Sequence, residues 1–576
     1  MTHRFAVWAP DRQRLDLVLG SLRTAMTRGE GGWWTAPDVD AAPGARYGFA
    51  LDGGDTRPDP RSAFQPDGVF GLSAVVDHQV YRWADSGWTG RPLAGSVIYE
   101  LHVGTFSPQG TFDGAVERLP HLVELGVDMV ELMPVAEFSG SRGWGYDGVD
   151  LFAPHHAYGG PDGLKRFVDA CHQAGLAVIL DVVYNHLGPA GNFLSEYGPY
   201  FSERHRTFWG ETLNFDGDGS EEVRAFVLDN AAMWIRDYHT DGLRLDAIQA
   251  IADESSVHVL EAIPEEVHRL GAELGRSTVV IAESNLNEPR LVRGGDEGGY
   301  GLDAAWADDW HHAVHAVLTG ERAGYYADFG SLEQLGKALR QAWVFDGAWS
   351  ERRKKFRGRS PAGLAPHTFV VALQNHDQVG NRAVGDRLAA LIDHARLKIA
   401  AALLLTSPFT PLVFQGEEWA ASTPFQYFTD HADPELGRAV SEGRRREFEA
   451  FGWRSELIPD PQDRATFERS RLRWEEVDEH AHADMLDWYR SLIALRRGLP
   501  PAKTVAVEVD DSAGRISFAR DSLMVRVNLG QSDWQLEIAE HDRLAMASDP
   551  SIRQDGGTLC LPPSSVAIVE TEPSVG

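Results

Sequence analysis

The sequence predicts an α/β protein, a closed (β/α)8 TIM barrel with an all-β module at each end. Three observations carry this reading. Eight short apolar runs recur between residues 96 and 417, separated by helical stretches, which is the rhythm of parallel βα units. Turn-rich, alternating segments occupy both ends of the chain. Ionisable residues sit at the carboxyl ends of the apolar runs, where a barrel of this kind opens its mouth.

From Arg4 to about residue 83 the segments RFAVWAP, RLDLVLG, EGGWWTAP and GARYGFALDGG are short and broken by Gly, Pro and Asp, which favours a small β-sandwich over residues 1–83. RPDPRSAFQPDG reads as an extended connector. Residues 84–501 form the barrel. Its eight strands are expected in SVIYELHV, VDMVELMPV, LAVILDVVYNH, DGLRLDAI, STVVIAES, LDAAWADD, TFVVALQNHD and PLVFQGEE. GAVERLPHLVELG and PDGLKRFVDACHQAG read as helices ending in Gly, and RLAALIDHARLKIAAALLL as one long helix before the last strand. About 400 residues exceed the ~250 typical of such barrels, so the loops carry insertions, residues 187–230 among them. The basic run ERRKKFRGRS at 351–360 reads as an exposed loop or helix face. After the helix ADMLDWYRSLIALRRG, the segments TVAVEV, RISFAR, SLMVRVNL and SSVAIVE predict a second β-sandwich over residues 502–576.

Composition excludes several function classes. The 576 residues carry a formal net charge of −31, which argues against nucleic acid or an anionic membrane as partner, since those require clustered Lys and Arg. The start MTHRFAVWAP lacks a secretory leader pattern, and no run of ~18 apolar residues occurs, so a soluble cytoplasmic protein is expected. Cys171 and Cys560 are the only cysteines, which fits a reducing compartment without a disulfide framework or zinc cluster.

The strand ends concentrate the chemistry. Asp181 ends LAVIL, Asp246 ends DGLRL, Glu283 ends VVIA, and His376 and Asp377 end VVALQN. Side chains two apart on a strand face the same way, so Arg244 and Asp246 project together, and a guanidinium beside a carboxylate favours its anion. Glu283 follows four apolar residues, a setting that raises a carboxyl pKa by desolvation, and a nearby Asp raises it further. One anionic and one protonated carboxyl are what a retaining glycosidase needs, about 5–5.5 Å apart. A structural ion pair is the competing reading of Arg244 and Asp246. Hydrolysis by a bound metal would want ligand spacing such as HExxH, which is missing from the sequence.

Taken together, DVVYNH at 181–186, GLRLDAI at 242–248, IAES at 281–284 and QNHDQ at 374–378 resemble the four conserved regions of the α-amylase superfamily of glycoside hydrolases, family 13. The resemblance implies Asp246 as nucleophile, Glu283 as general acid/base and Asp377 as the third acid, with Arg244, His186, His376 and Tyr146 of GWGYD lining the same subsite. Longer segments, among them WGETLNFDGDGS, AESNLNEPRL and WADDWHHAVHAVLTGE, resemble one branch of that superfamily. That branch cuts the α-1,4 bond next to the terminal trehalose of maltooligosyltrehalose, releasing trehalose and a shortened maltooligosaccharide. It implies no cofactor, no required metal even at Asn185, and functional pairing with the synthase that makes the substrate.

For the trehalose side, candidates are Phe208, Trp209, Asp308, Asp309, Trp310 and Trp419, with Trp209 and Asp309 expected to touch the sugar, since aromatic faces stack on sugars and acids bind hydroxyls. His312 and His315 read as helix-surface or capping residues. The rival readings are a glucan branching enzyme, which usually carries an acid where this chain has Gln378, an isoamylase-type debranching enzyme, and a catalytically silent binding protein, which would lack part of the acidic triad.

Overall fold

The computed structural model of the chain describes residues 2–207, 209–449, 457–502 and 505–571. At its centre eight parallel strands close into a barrel in chain order. They are β1 Ile98–Leu101, β2 Met129–Leu132, β3 Ala177–Val182, β4 Gly242–Leu245, β5 Val279–Ala282, β6 Ala304–Trp306, β7 Phe369–Ala372 and β8 Thr410–Phe414. Each of the eight predicted runs supplies one strand. Their residues are buried on both faces, which is why the runs read as nearly continuous apolar stretches rather than as alternating ones.

The barrel interior is layered. Ile98, Met129, Ala177, Val279, Ala304, Val370 and Leu412 belong to one apolar cluster that fills it. Along the same strands Glu100 stands in register with Glu131, and Asp181 with Arg244. These four charged side chains are at most 3% exposed. Acids therefore occur inside the barrel as well as at its rim. Close strand approach is set by Gly242, where a Cβ would stand 2.4 Å from the Val279 carbonyl oxygen of β5.

The N-terminal strands include Ala6–Trp8, Leu15–Leu19, Trp33–Thr35 and Arg46–Leu51, arranged in a five-stranded and a three-stranded antiparallel sheet with a small two-stranded pair. This module docks on the 187–230 insertion, where Arg57 pairs with Glu196 at 2.9 Å and Arg61 with Asp229 at 2.7 Å. At the other end, strands from Ala506–Asp510 to Ser565–Glu570 form a five-stranded and a three-stranded sheet.

Two local expectations change. The long helix before β8 begins at His394, not Arg387, because the Asp393 side chain caps it by accepting from the Arg396 amide. Arg387 is held in the preceding loop by the carbonyls of Thr423 and Gln415 at 2.6 and 2.7 Å. The basic run folds as a hairpin, Ala348–Ser350 against Lys355–Arg357. Among the described residues no helix is long and apolar enough to cross a membrane.

Candidate active site

The carboxyl ends of β3, β4, β5 and β7 bring their ionisable groups to one mouth, and Arg244 organises them. Its side chain is fully buried and lies 4.3 Å from the Trp306 ring centroid. Nη1 donates to both oxygens of Asp181, at 2.9 and 2.8 Å, and to Asp246 Oδ1 at 2.8 Å, while Nη2 stands 3.9 Å from Glu283 Oε2. Asp246 Oδ2 accepts from Asn185 Nδ2 at 2.8 Å, so both nucleophile-candidate oxygens have donors. Ala247, directly after Asp246, takes a left-handed conformation with φ 40° and aims its amide at Glu283 Oε2, 2.6 Å away. A non-glycine residue in that region is locally strained. Here the strained bend ties the two acids together.

Burial raises the Glu283 carboxyl to about 8, with Asp246, Asp308 and Asp377 adding to the rise against the pull of Arg244. The protonated form is therefore the resting form at neutral pH. Burial also lifts Asp181 to about 7, despite Arg244. His186 is lowered by burial, which keeps its ring neutral.

Tyr146 is presented by a turn that requires glycine: Gly145 has φ +97°, and a Cβ there would stand 2.2 Å from the Pro134 carbonyl oxygen. The Tyr146 hydroxyl donates to Asp181 Oδ2 at 2.6 Å and lies 2.7 Å from His376 Nε2, with the Tyr146 and His376 rings stacked at 5.0 Å. Asp377, with 45% of its side chain exposed, opens toward the mouth from the residue after His376. Trp209 sits at the tip of a hairpin, Phe201–Thr207 against Gly210–Leu213, in the 187–230 insertion. Half exposed, it lies parallel to the His186 ring at 5.6 Å, a platform beside the acids.

Asp309 is placed differently from the expectation. Its Oδ2 accepts from Asn287 Nδ2, Val344 N and Phe345 N at 2.8, 3.0 and 2.7 Å, and the residue is 1% exposed. It ties loops together and has no free face for a sugar, which corrects its assignment as a substrate contact. Its neighbour Asp308, the first residue of the helix Asp308–Thr319, faces the acids instead, and burial followed by Asp377 raises it to about 6. Trp310 and Trp419 are wholly buried and belong to the core. His315 is likewise interior, paired with Glu321 at 2.6 Å. Phe208 lies outside the described residues. Replacing Asp309 by Ala leaves two buried backbone amides without acceptors and is expected to destabilise the fold by about 2 kcal/mol or more. Asp308→Ala is expected to keep the melting temperature and lower kcat/KM by about tenfold, the size of one lost charge-assisted hydrogen bond. Thermal unfolding beside steady-state kinetics separates the two.

A family profile described as the α-amylase catalytic domain matches residues 79–213. A malto-oligosyltrehalose trehalohydrolase from Arthrobacter ramosus is 50% identical over 99% of this chain and 100% of its own length. One from Rhizobium sp. (strain M-11) is 48% identical over 98% and 97%. The chain belongs to the malto-oligosyltrehalose trehalohydrolase family. The same architecture appears in a Salmonella typhimurium crystal structure assigned to the α-amylases, with a TM-score of 0.89 and 37% identity over 99% of this chain and 97% of that one. Membership of the trehalohydrolase family thus extends through both end modules as well as the barrel that carries the acids.

Proposed function

We propose that the chain is a retaining glycoside hydrolase that cleaves the α-1,4-glucosidic bond next to the terminal trehalose of maltooligosyltrehalose. The observation that carries this is Arg244, which touches Asp246 at 2.8 Å and stands 3.9 Å from Glu283 in a chain whose relatives bear that activity in their names along nearly their whole length. An Asp246 oxygen attacks C1 of the glucosyl unit as the C1–O bond to trehalose breaks, and Glu283 gives its proton to the departing oxygen, so trehalose leaves neutral. Water then attacks C1 of the glycosyl ester and gives its proton to Glu283. The Asp246 carboxylate is released and the product keeps the α configuration. Asp377 and His186 bind sugar hydroxyls, and Tyr146 and His376 form one wall of that subsite.

Trp209 and Asp308 are proposed contacts on the selective side of the mouth. No redox or nucleotide cofactor enters this chemistry. The reading includes functional pairing with the synthase that caps maltooligosaccharides, in the cytoplasm, where the free thiols of Cys171 and Cys560 fit a reducing environment. The test is product analysis with maltotriosyltrehalose and maltopentaose side by side. Trehalose from the first with little change in the second is expected. New α-1,6 branches would indicate a glucan transferase, and equal cleavage of both substrates a plain amylase.

A further inference from the structure

We propose that Glu100 is a positioning residue of the hydrolysis: buried on β1, it holds His376 as a ring that donates from both nitrogens, and through it fixes the Tyr146 hydroxyl and the Asp181–Arg244–Asp246 chain. The inference rests on the functional reading above. Glu100 touches neither sugar nor reacting atoms.

The geometry carries the argument. Glu100 Oε1 accepts a short hydrogen bond from His376 Nδ1, and Oε2 accepts from the His376 backbone amide at 3.1 Å. Both residues are 1% exposed. A carboxylate accepts only, so Nδ1 carries a proton. On the opposite side of the ring, Nε2 lies 2.7 Å from the Tyr146 oxygen, and the single phenolic proton is directed to Asp181 Oδ2 at 2.6 Å. With Asp181 ionised and paired to Arg244, as it is above about 7, Nε2 donates as well. The ring is then an imidazolium, and charges alternate along the chain Glu100, His376, Asp181, Arg244, Asp246, with Tyr146 as the neutral link.

The groups facing the ring from other elements are consistent with this state. Burial opposes the charge, but Glu100 and Asp377 outweigh it and Arg244 and lift His376 to about 9. Burial, followed by Glu100, raises Glu131 on β2 well above the ordinary carboxyl value, and neither of its oxygens has a hydrogen-bond partner among the described residues. Of the two acids, Glu100 is the one that touches the ring. His102, after β1, is lowered to about 4 by burial and adds no second positive charge. The Trp144 and Trp306 rings flank His376 at 5.6 and 5.9 Å.

Without the Glu100 charge the ring goes neutral, and its bare Nε2 becomes an acceptor that competes with Asp181 for the phenolic proton. Asp181 then draws harder on Arg244, loosening the guanidinium from Asp246. Glu100→Gln keeps the shape and an acceptor for Nδ1 while removing the charge. It is expected to lower kcat by about 10- to 100-fold, the range of a lost charge-assisted contact in a buried site. KM should stay within about threefold, and the alkaline limb of the pH profile should move about one unit or more toward acid. In a His376→Gln background the same change should cost less than about threefold, because Glu100 acts only through that ring. Glu131→Gln, with the same burial, should keep the wild-type rate and profile.

A folded Glu100→Gln with the wild-type pH profile, or with a loss that adds fully to that of His376→Gln, overturns the inference. Should Glu100→Gln not fold, Glu100→Asp decides: a lowered kcat with the alkaline limb in its wild-type place is expected, and an unchanged kcat overturns it. Wild-type trehalose release is measured in the same assay. Its absence would count against the functional reading, whereas normal wild-type release with an unaltered Glu100→Gln counts against Glu100 alone.

Discussion

Asp246→Asn is expected to lower kcat on trehalose-capped maltooligosaccharide by about 10⁴-fold or more, the scale on which removing an enzyme's nucleophile acts. This corresponds to about 5.4 kcal/mol of transition-state stabilisation. The amide has nearly the shape of the carboxylate but cannot form the glycosyl ester. Arg244 keeps both of its bonds to Asp181, and Asn185 keeps its bond to the residue 246 carbonyl at 2.8 Å, so the mouth should stay assembled and the melting temperature nearly unchanged. Substrate should still bind. A variant that turns over at near-normal rate would remove Asp246 from the mechanism and leave Arg244 with a purely structural ion pair.

Glu283→Gln is expected to cost about 10²- to 10⁴-fold on natural glycosides, the usual worth of a positioned general acid. The loss should be much smaller on α-maltosyl fluoride, whose leaving group departs without a proton. The same assignment fixes the pH dependence. Glu283 is raised to about 8, so it is protonated below that value and kcat/KM should fall as pH rises through it. In Glu283→Gln the limb at about 8 should give way in the fluoride reaction to one near 9, where His376 loses its proton. A limb that stays at about 8 would mean that a group other than Glu283 sets it.

Much of this architecture is legible in the sequence because a barrel strand buried on both faces leaves a dense apolar signal that stops where the mouth begins. LAVILD, DGLRLD and VVIAE each end on the acid that the structure brings beside Arg244. Short-range pattern fails where one residue of helical phase decides. Asp308 and Asp309 are chemically identical neighbours, yet on a helix they point about 100° apart, and only the fold shows that Asp309 is spent on the Val344 and Phe345 amides. Glu100 and Glu131 carry a signal of another kind, lone acids inside IYEL and MVEL where a buried strand should be apolar throughout. The His376 that Glu100 binds is far away in sequence, and neither Glu131 oxygen has a hydrogen-bond partner among the described residues. The hairpin that lifts Trp209 beside His186 shows no clear alternation, because its residues are polar and largely solvent-facing.

The most direct test of the account is to trap the glycosyl-enzyme. A 5-fluoro-α-glucosyl fluoride slows hydrolysis of the ester more than its formation, and intact-mass analysis followed by peptide mapping locates the adduct. A single fluoroglucosyl addition on the peptide containing Asp246, with the α anomer as the first product of the natural reaction, is the predicted result. A label on any other residue, or release of the β anomer, would contradict it.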